Sequence, residues 1–416
     1  MTIQATVETS PRLSPQLTKA DRFFVEAMSP AFREDPYPYY ERFRGPSPLL
    51  RVGETMWFAL GHADVTALLR HPHLSTDEAQ HAATEADRVE EDPNRARSLL
   101  FMDPPDHTRL RGLVARAFTP RRIEDLRAAT QAIATELIEA MANESGPVDL
   151  VKAFAYPLPV RVICALLGVP PEDEAQFTHW SRGVARSVDP SVLRTPAIEA
   201  TIEEARANLR RYLGDLLAAR RRQPGDDLLS ALAAVDVEGD RITPREVVGL
   251  AQLLLVAGHE TTVNLIGNGT LALLRHPEQL ALLRRSPELI GPAVDEFLRY
   301  DGPVQITQRV VTRDMEVVGC PVKRGDEIML VLGAANRDPA AFEDPHKLDV
   351  TRDARRHVAF GGGIHHCLGA ALARMEGQIA FATLLERFPQ LSLAGTPERR
   401  PTFTLRGLET LPVSLA

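Results

Sequence analysis

From Thr243 to Arg275 the chain spaces its apolar residues three and four apart without a break, until His276-Pro277 ends the pattern. Thr243-Pro244-Arg245-Glu246 opens it as a capping box, with proline at the first helical position. A helix of about 30 residues is roughly 46 Å long at 1.5 Å per residue. It has to cross the whole molecule, and the other elements must pack around it. Gly258 falls at mid-length, where glycine costs about 1 kcal/mol relative to alanine. Something is expected to use the space it leaves.

The same periodicity predicts helices from Asp106 to Ala117, Ile123 to Ala142, Leu158 to Leu167 and Pro196 to Arg221. Further helical stretches run from Pro277 to Tyr300 and from about Leu368 to Phe388. A short helix and a turn occupy the segment from Gly225 to Asp240. Leu49 to Val52 and Met56 to Leu60 read as a hairpin around Gly53-Glu54, followed by a short helix from Ala63 to Arg70. Val310 to Val318 and Glu327 to Leu332 read as strands. Up to Pro48 the chain is proline-rich and reads as irregular. The polar, acidic stretch from Ser75 to Arg97 reads as a mobile surface loop. The fold class is mainly α with a smaller β region, about 49–60 and 304–335, in a single domain over 1–416.

A net charge of −8, from 48 basic and 56 acidic residues, argues against general nucleic-acid binding. The three cysteines, Cys164, Cys320 and Cys367, are too few and too scattered for a disulfide framework. Cys164 lies in an apolar run and reads as core, and Cys320 precedes Pro321 in a turn-like stretch. There is no signal-peptide pattern and no run of ~18 apolar residues. No membrane anchor and a cytoplasmic location are the expectations.

Cys367 is different. Phe360-Gly361-Gly362-Gly363-Ile364-His365-His366-Cys367-Leu368-Gly369 sets it behind three glycines and just before a helix. Glycines allow tight or left-handed backbone and close approach to a ligand. The first free amides of the helix and its dipole favour a thiolate. A thiolate so placed is a good axial ligand for haem iron. Other readings of these residues stay open. A glycine-rich turn could cradle a phosphate, although Gly-x-x-x-x-Gly-Lys is absent. His365, His366 and Cys367 could bind zinc, although neighbours in sequence rarely converge on one metal. The cysteine could also be a buried structural residue.

Phe360, Gly361, Gly363, His365, Cys367 and Gly369 match, position by position, the haem-binding loop of the cytochrome P-450 family, and the chain resembles that family's soluble bacterial members. The resemblance implies the cytochrome P-450 fold, with haem b buried between the long central helix and the cysteine-loop helix. Cys367 would ligate the iron, His365 would hydrogen-bond a propionate and Phe360 would shield the sulfur. Ala257-Gly258-His259-Glu260-Thr261-Thr262 on the long helix looks like the family's oxygen-activation motif. There Ala257 and Gly258 border the haem, Thr261 steadies bound oxygen and Glu260 helps carry protons. His107, Arg111 and Arg309 match positions that contact propionates. Glu296 and Arg299 match the family's Glu-x-x-Arg pair, a buried structural network behind the cysteine loop rather than a surface ion pair.

The function implied is a haem-thiolate monooxygenase that hydroxylates or epoxidises a small to medium apolar substrate with O2. Its two electrons would come ultimately from NAD(P)H. Too few residues follow Cys367 for a fused reductase, so a separate ferredoxin or flavodoxin with its reductase is expected, docking near Arg109, Arg116, Arg355, Arg356 and Arg374. A monomer is expected. The rival readings are a peroxide-driven peroxygenase of the same family and a non-catalytic haem carrier or gas sensor. The substrate pocket would be lined by the loop from Leu74 to Leu100, the helices between about Pro170 and Arg221, and Val304 to Thr307.

Overall fold

The computed structural model describes residues 22, 25–27, 29–77, 80, 98–188, 195–237 and 240–416. Most of the acidic loop expected after Ser75 lies outside the described residues. The N-terminal hairpin forms from β1 (Leu49–Val52) and β2 (Met56–Ala59), which pair antiparallel. Helix α1 (His62–Leu68) and the short strand β3 (Leu74–Ser75) follow. Five further helices are α2 (Asp106–Ala117), α3 (Arg127–Ala142), α4 (Pro157–Leu167), α5 (Glu174–Ala185) and α6 (Pro196–Arg222).

The central helix α7 spans Pro244–Arg275, 32 residues, with both hydrogen bonds of the Thr243–Glu246 capping box in place. From Thr262 to Leu273 every residue on it is buried, so this half of the helix is core on all sides. Beyond it come α8 (Pro277–Arg285) and α9 (Ile290–Tyr300). Strand β4 (Ile306–Val311), the hairpin β5 (Met315–Val317) and β6 (Cys320–Val322), and β7 (Glu327–Val331) follow. Helix α10 (Ala370–Arg387) precedes the terminal hairpin of β8 (Glu398–Arg399) and β9 (Leu408–Thr410).

The main sheet has the order β1-β2-β7-β4-β3, with β7 parallel to β2 and antiparallel to β4. Alternate residues of β7 serve opposite faces, as a pleated strand requires. Met329 and Val331 pack with Phe32, Tyr37 and Tyr40. Ile328 and Leu330 pack with Leu68, Leu69 and Val358. The second face therefore presses α1 against the segment that leads into the cysteine loop. The largest apolar cluster surrounds α7 and draws on α2 to α6 and α10.

Five expectations are corrected. The segment before Pro48 is not irregular: Pro30–Glu34 and Tyr37–Phe43 are helices with proline in the first turn, where its missing N–H costs nothing. The helix expected from Ile123 breaks at Leu126, so Pro120–Asp125 is separate from α3. The one expected from Pro277 to Tyr300 breaks at Ser286-Pro287, because the ring of Pro287 crowds the preceding residue out of helical geometry. The strand expected at Val310 starts at Ile306 and ends at Val311, before the polar Arg313-Asp314 turn, whose Asp314 accepts the backbone N–H of Arg324. Cys164 is buried in α4 as expected, while Cys320 sits in β6 rather than in a turn. Among the described residues no helix is long and apolar enough to cross a membrane.

Candidate active site

The loop before α10 is built by its glycines. Gly361 and Gly363 take φ of +67° and +64°, a region that favours glycine. A Cβ on Gly363 would come within 2.5 Å of the Leu69 carbonyl oxygen, so the loop lies hard against the end of α1. The Cys367 N–H donates to the Phe360 carbonyl at 2.9 Å and the His366 N–H to that of Gly363 at 3.2 Å, which closes the turn. Helix α10 then starts at Ala370 with Gly369 as its cap, two residues later than the sequence suggests.

Cys367 exposes surface, yet burial, the largest influence on its thiol, pushes the pKa up. Accessible surface together with crowding by protein means that the sulfur faces a concavity. The Gly369 amide hydrogen bond and the charges of Arg111 and Arg374 act the other way, but burial outweighs them. The amides and dipole alone therefore do not favour the thiolate. A coordinating metal ion deprotonates a thiol outright. Phe360 is held beside the loop by the Arg374 guanidinium, 4.5 Å from its ring centre, and Arg374 is fixed by Asp295 at 2.7 Å.

Nitrogen groups gather in front of the same loop. The rings of His107 and His365 lie 4.3 Å apart, and Thr76 Oγ1 hydrogen-bonds His365 Nε2 at 3.1 Å. His107 is buried, and among the described residues neither of its ring nitrogens has a partner. Arg309 is buried and makes no ion pair among the described residues; its guanidinium donates to the Gln308 carbonyl at 2.7 Å and to Thr307 Oγ1 at 3.4 Å. Burial, followed by the charges of His107, Arg309 and Arg111, drives the His365 pKa down to about 3. Burial lowers that of Arg309 to about 10, with Asp103 opposing. Arg111 donates to the His366 carbonyl at 2.5 Å. Buried donors that lack anionic partners make a receptor for carboxylates. With the uncovered thiol beside them, these residues fit a haem and its two propionates. Among the described residues no group of three or more His, Cys, Asp or Glu converges as a zinc site would need.

On α7, Ala257 is exposed and Thr261 half-buried, in the midst of a mostly buried helix. The Thr261 hydroxyl donates to the Ala257 carbonyl at 2.8 Å. A Cβ at Gly258 would come within 3.2 Å of Ile163 Cδ1, so the glycine admits the close approach of α4. The Glu260 carboxylate is not held at Thr261. It is buried, receives Arg400 Nη1 at 2.5 Å from the terminal hairpin and contacts His259 Nε2 at 3.2 Å. Burial pushes its pKa up, but His259 and Arg400 together bring it down to about 2.

Glu296 and Arg299 form the expected buried network. Both are fully buried, with two parallel hydrogen bonds of 2.7 Å between them. Arg299 also donates to the carbonyls of Asn336 and Pro345, and Glu296 accepts from the Asp349 N–H.

Three residues escaped the sequence reading. Thr76 and Arg400 meet partners far away in the chain, and no local pattern marks them. Glu376 on α10 is buried, its Oε2 has no partner among the described residues, and burial raises its pKa well above the usual carboxylate range. It fell at an ordinary helical spacing and gave no signal.

The description of the Cytochrome P-450 family matches residues 37–286 and 288–413. The monooxygenase PikC of Streptomyces venezuelae is 44% identical over 397 residues, covering 93% of this chain and 92% of PikC. The vitamin D(3) 25-hydroxylase of Pseudonocardia autotrophica is 43% identical over 398 residues, covering 94% and 96%. The solved structure of the polyketide-synthase cytochrome PksS of Bacillus subtilis superposes with a TM-score of 0.86 at 40% identity, covering 94% of this chain and 99% of that one. Relatives that match at this identity over nearly their full length, and a site whose thiol, imidazoles and guanidiniums fit a haem, lead to one conclusion: the chain belongs to the cytochrome P-450 family, as a haem-dependent monooxygenase.

Proposed function

We propose that Cys367 ligates the haem iron and that His107, Arg309, His365 and Arg111 take the propionates. The observation that carries this reading is the buried His107 imidazole with two unpartnered nitrogens, 4.3 Å from His365 and in the loop's immediate surroundings. When bound, the haem supplies oxygen activation and one-electron chemistry, aided by the electron density of the thiolate. The chain's own residues do the rest. Ala257 and Thr261 border the oxygen side. The Thr261 hydroxyl, at rest donating to the Ala257 carbonyl, relays a proton by turning its O–H away from that carbonyl and giving it up as its oxygen accepts another. Glu260 brings those protons once it leaves Arg400, since a carboxylate held as an ion pair has none to give. Gly361 lets the loop pass close to the ring.

The substrate class is an apolar molecule of small to medium size, hydroxylated or epoxidised. The relatives named for vitamin D(3) and for polyketide synthesis are consistent with it. Electrons come from NAD(P)H through a ferredoxin or flavodoxin and its reductase. Arg116 and Arg356 are exposed and make no ion pair among the described residues, while Arg109, Arg355 and Arg374 are already paired with Glu246, Asp353 and Asp295, so the first two carry the docking.

Binding of a substrate drawn from an apolar library should shift the haem absorption band. With that substrate, Thr261→Ala should leave the spectrum intact but lower the ratio of product formed to oxygen consumed several-fold, with peroxide released. Unchanged coupling would reject the relay.

A further inference from the structure

A cleft of about 490 Å³ opens between α6 and the first turns of α7, away from the cysteine loop. On α6 it is lined by Arg210, Gly214, Leu217 and Arg221, whose spacing of three to four residues puts them on one helical face. Across from them stand Arg245 and Val248 of α7. Leu217 and Val248 are buried and form an apolar floor. At one end Gln252 Nε2 donates to the Arg206 carbonyl at 3.1 Å and ties the two helices together.

Two features set this cleft apart from an ordinary surface groove. Among the described residues three guanidiniums line it and no acidic residue does, in a chain whose net charge is −8. Arg210 and Arg221 make no ion pair among the described residues. The second feature is Gly214. A glycine inside a helix costs about 1 kcal/mol relative to alanine, and a Cβ at this position would meet nothing within 4 Å. Among the described residues no neighbour needs that space, which forms a notch in the cleft wall.

We infer that this cleft binds an amphipathic carboxylate, with its alkyl body on Leu217, Val248 and the Gly214 notch and its head group between the arginines. The volume lies within the range of small-molecule sites, and guanidinium is the side chain best matched to a carboxylate. The inference does not depend on the haem-site reading.

The test uses holoenzyme whose iron is ligated by 4-phenylimidazole, so that the oxygen side is blocked. Calorimetric titration with dodecanoate should show one equivalent bound, and dodecyltrimethylammonium should bind at least about tenfold more weakly. The double variant Arg210→Ser/Arg221→Ser should weaken dodecanoate binding by at least about tenfold. Gly214→Trp should abolish it, with the haem spectrum and circular dichroism unchanged in both. No binding to the blocked holoenzyme would overturn the inference. So would equal affinity for the cationic probe, or affinity that survives either variant.

Discussion

At Glu260 two opposing forces have nearly equal claims, and the partners decide between them. Burial favours the neutral acid, while Arg400 and His259 favour the anion and bring its pKa from 4.5 to about 2. A carboxyl whose folded pKa lies below its unfolded one stabilises the fold above the unfolded value. That contribution is lost as the pH falls from about 4.5 towards about 2. Glu260→Gln should therefore lower stability at neutral pH by the order of 3 kcal/mol, and its deficit against the parent should shrink across that window. Denaturant unfolding at a series of pH values measures it, and a deficit independent of pH would remove the ion pair from the account. The motif placed Glu260 and Thr261 side by side in sequence, and side by side they are. The sequence could not show that the acid turns to a partner 140 residues away, because ion pairs between distant elements leave no periodic trace.

At the scale of elements, glycines report how closely helices approach. Gly269 of α7 faces Phe381 and Phe297, and a Cβ there would come within 2.5 Å of Phe381 Cζ and 3.0 Å of Phe297 Cδ2. Gly291 of α9 has only Gln378 Nε2 at 3.7 Å, an ordinary contact. Alanine should thus act in opposite directions at the two sites. Gly269→Ala should cost about 1–3 kcal/mol through overpacking, and Gly291→Ala should add about 0.4–1 kcal/mol by restricting the unfolded chain. Thermal unfolding of the two variants checks the sign of each. The boundaries of α7 were legible because Thr243, Pro244 and Glu246 cap it with local chemistry. Pro30–Glu34 and Tyr37–Phe43 were not, because prolines that read as helix breakers there occupy the first turn, the one place a helix accepts them. The cysteine loop was legible for the same reason as α7: its two left-handed glycines and its cap are neighbours in sequence.

Across the whole molecule, the sheet and α9 hold the approach to the cysteine loop from two sides. Val358 packs on the sheet through Leu69 and Leu330, and Arg299 pins the carbonyls of Asn336, Pro345 and Lys347. Arg299→Leu leaves Glu296 with only its weaker contacts to Arg352 and Asp349. Unpairing a buried charge should cost about 3–5 kcal/mol, and the purified variant should carry much less haem per chain than the parent. Parent-like haem content and stability would mean that the network is dispensable. All of this positions one sulfur atom, and the iron ligation proposed for it can be read directly. The absorption spectrum of the reduced, carbon-monoxide-treated haem protein should show the red-shifted band of thiolate ligation, and Cys367→Ala should lose that band. A parent without it, or a variant that keeps it, would contradict the account.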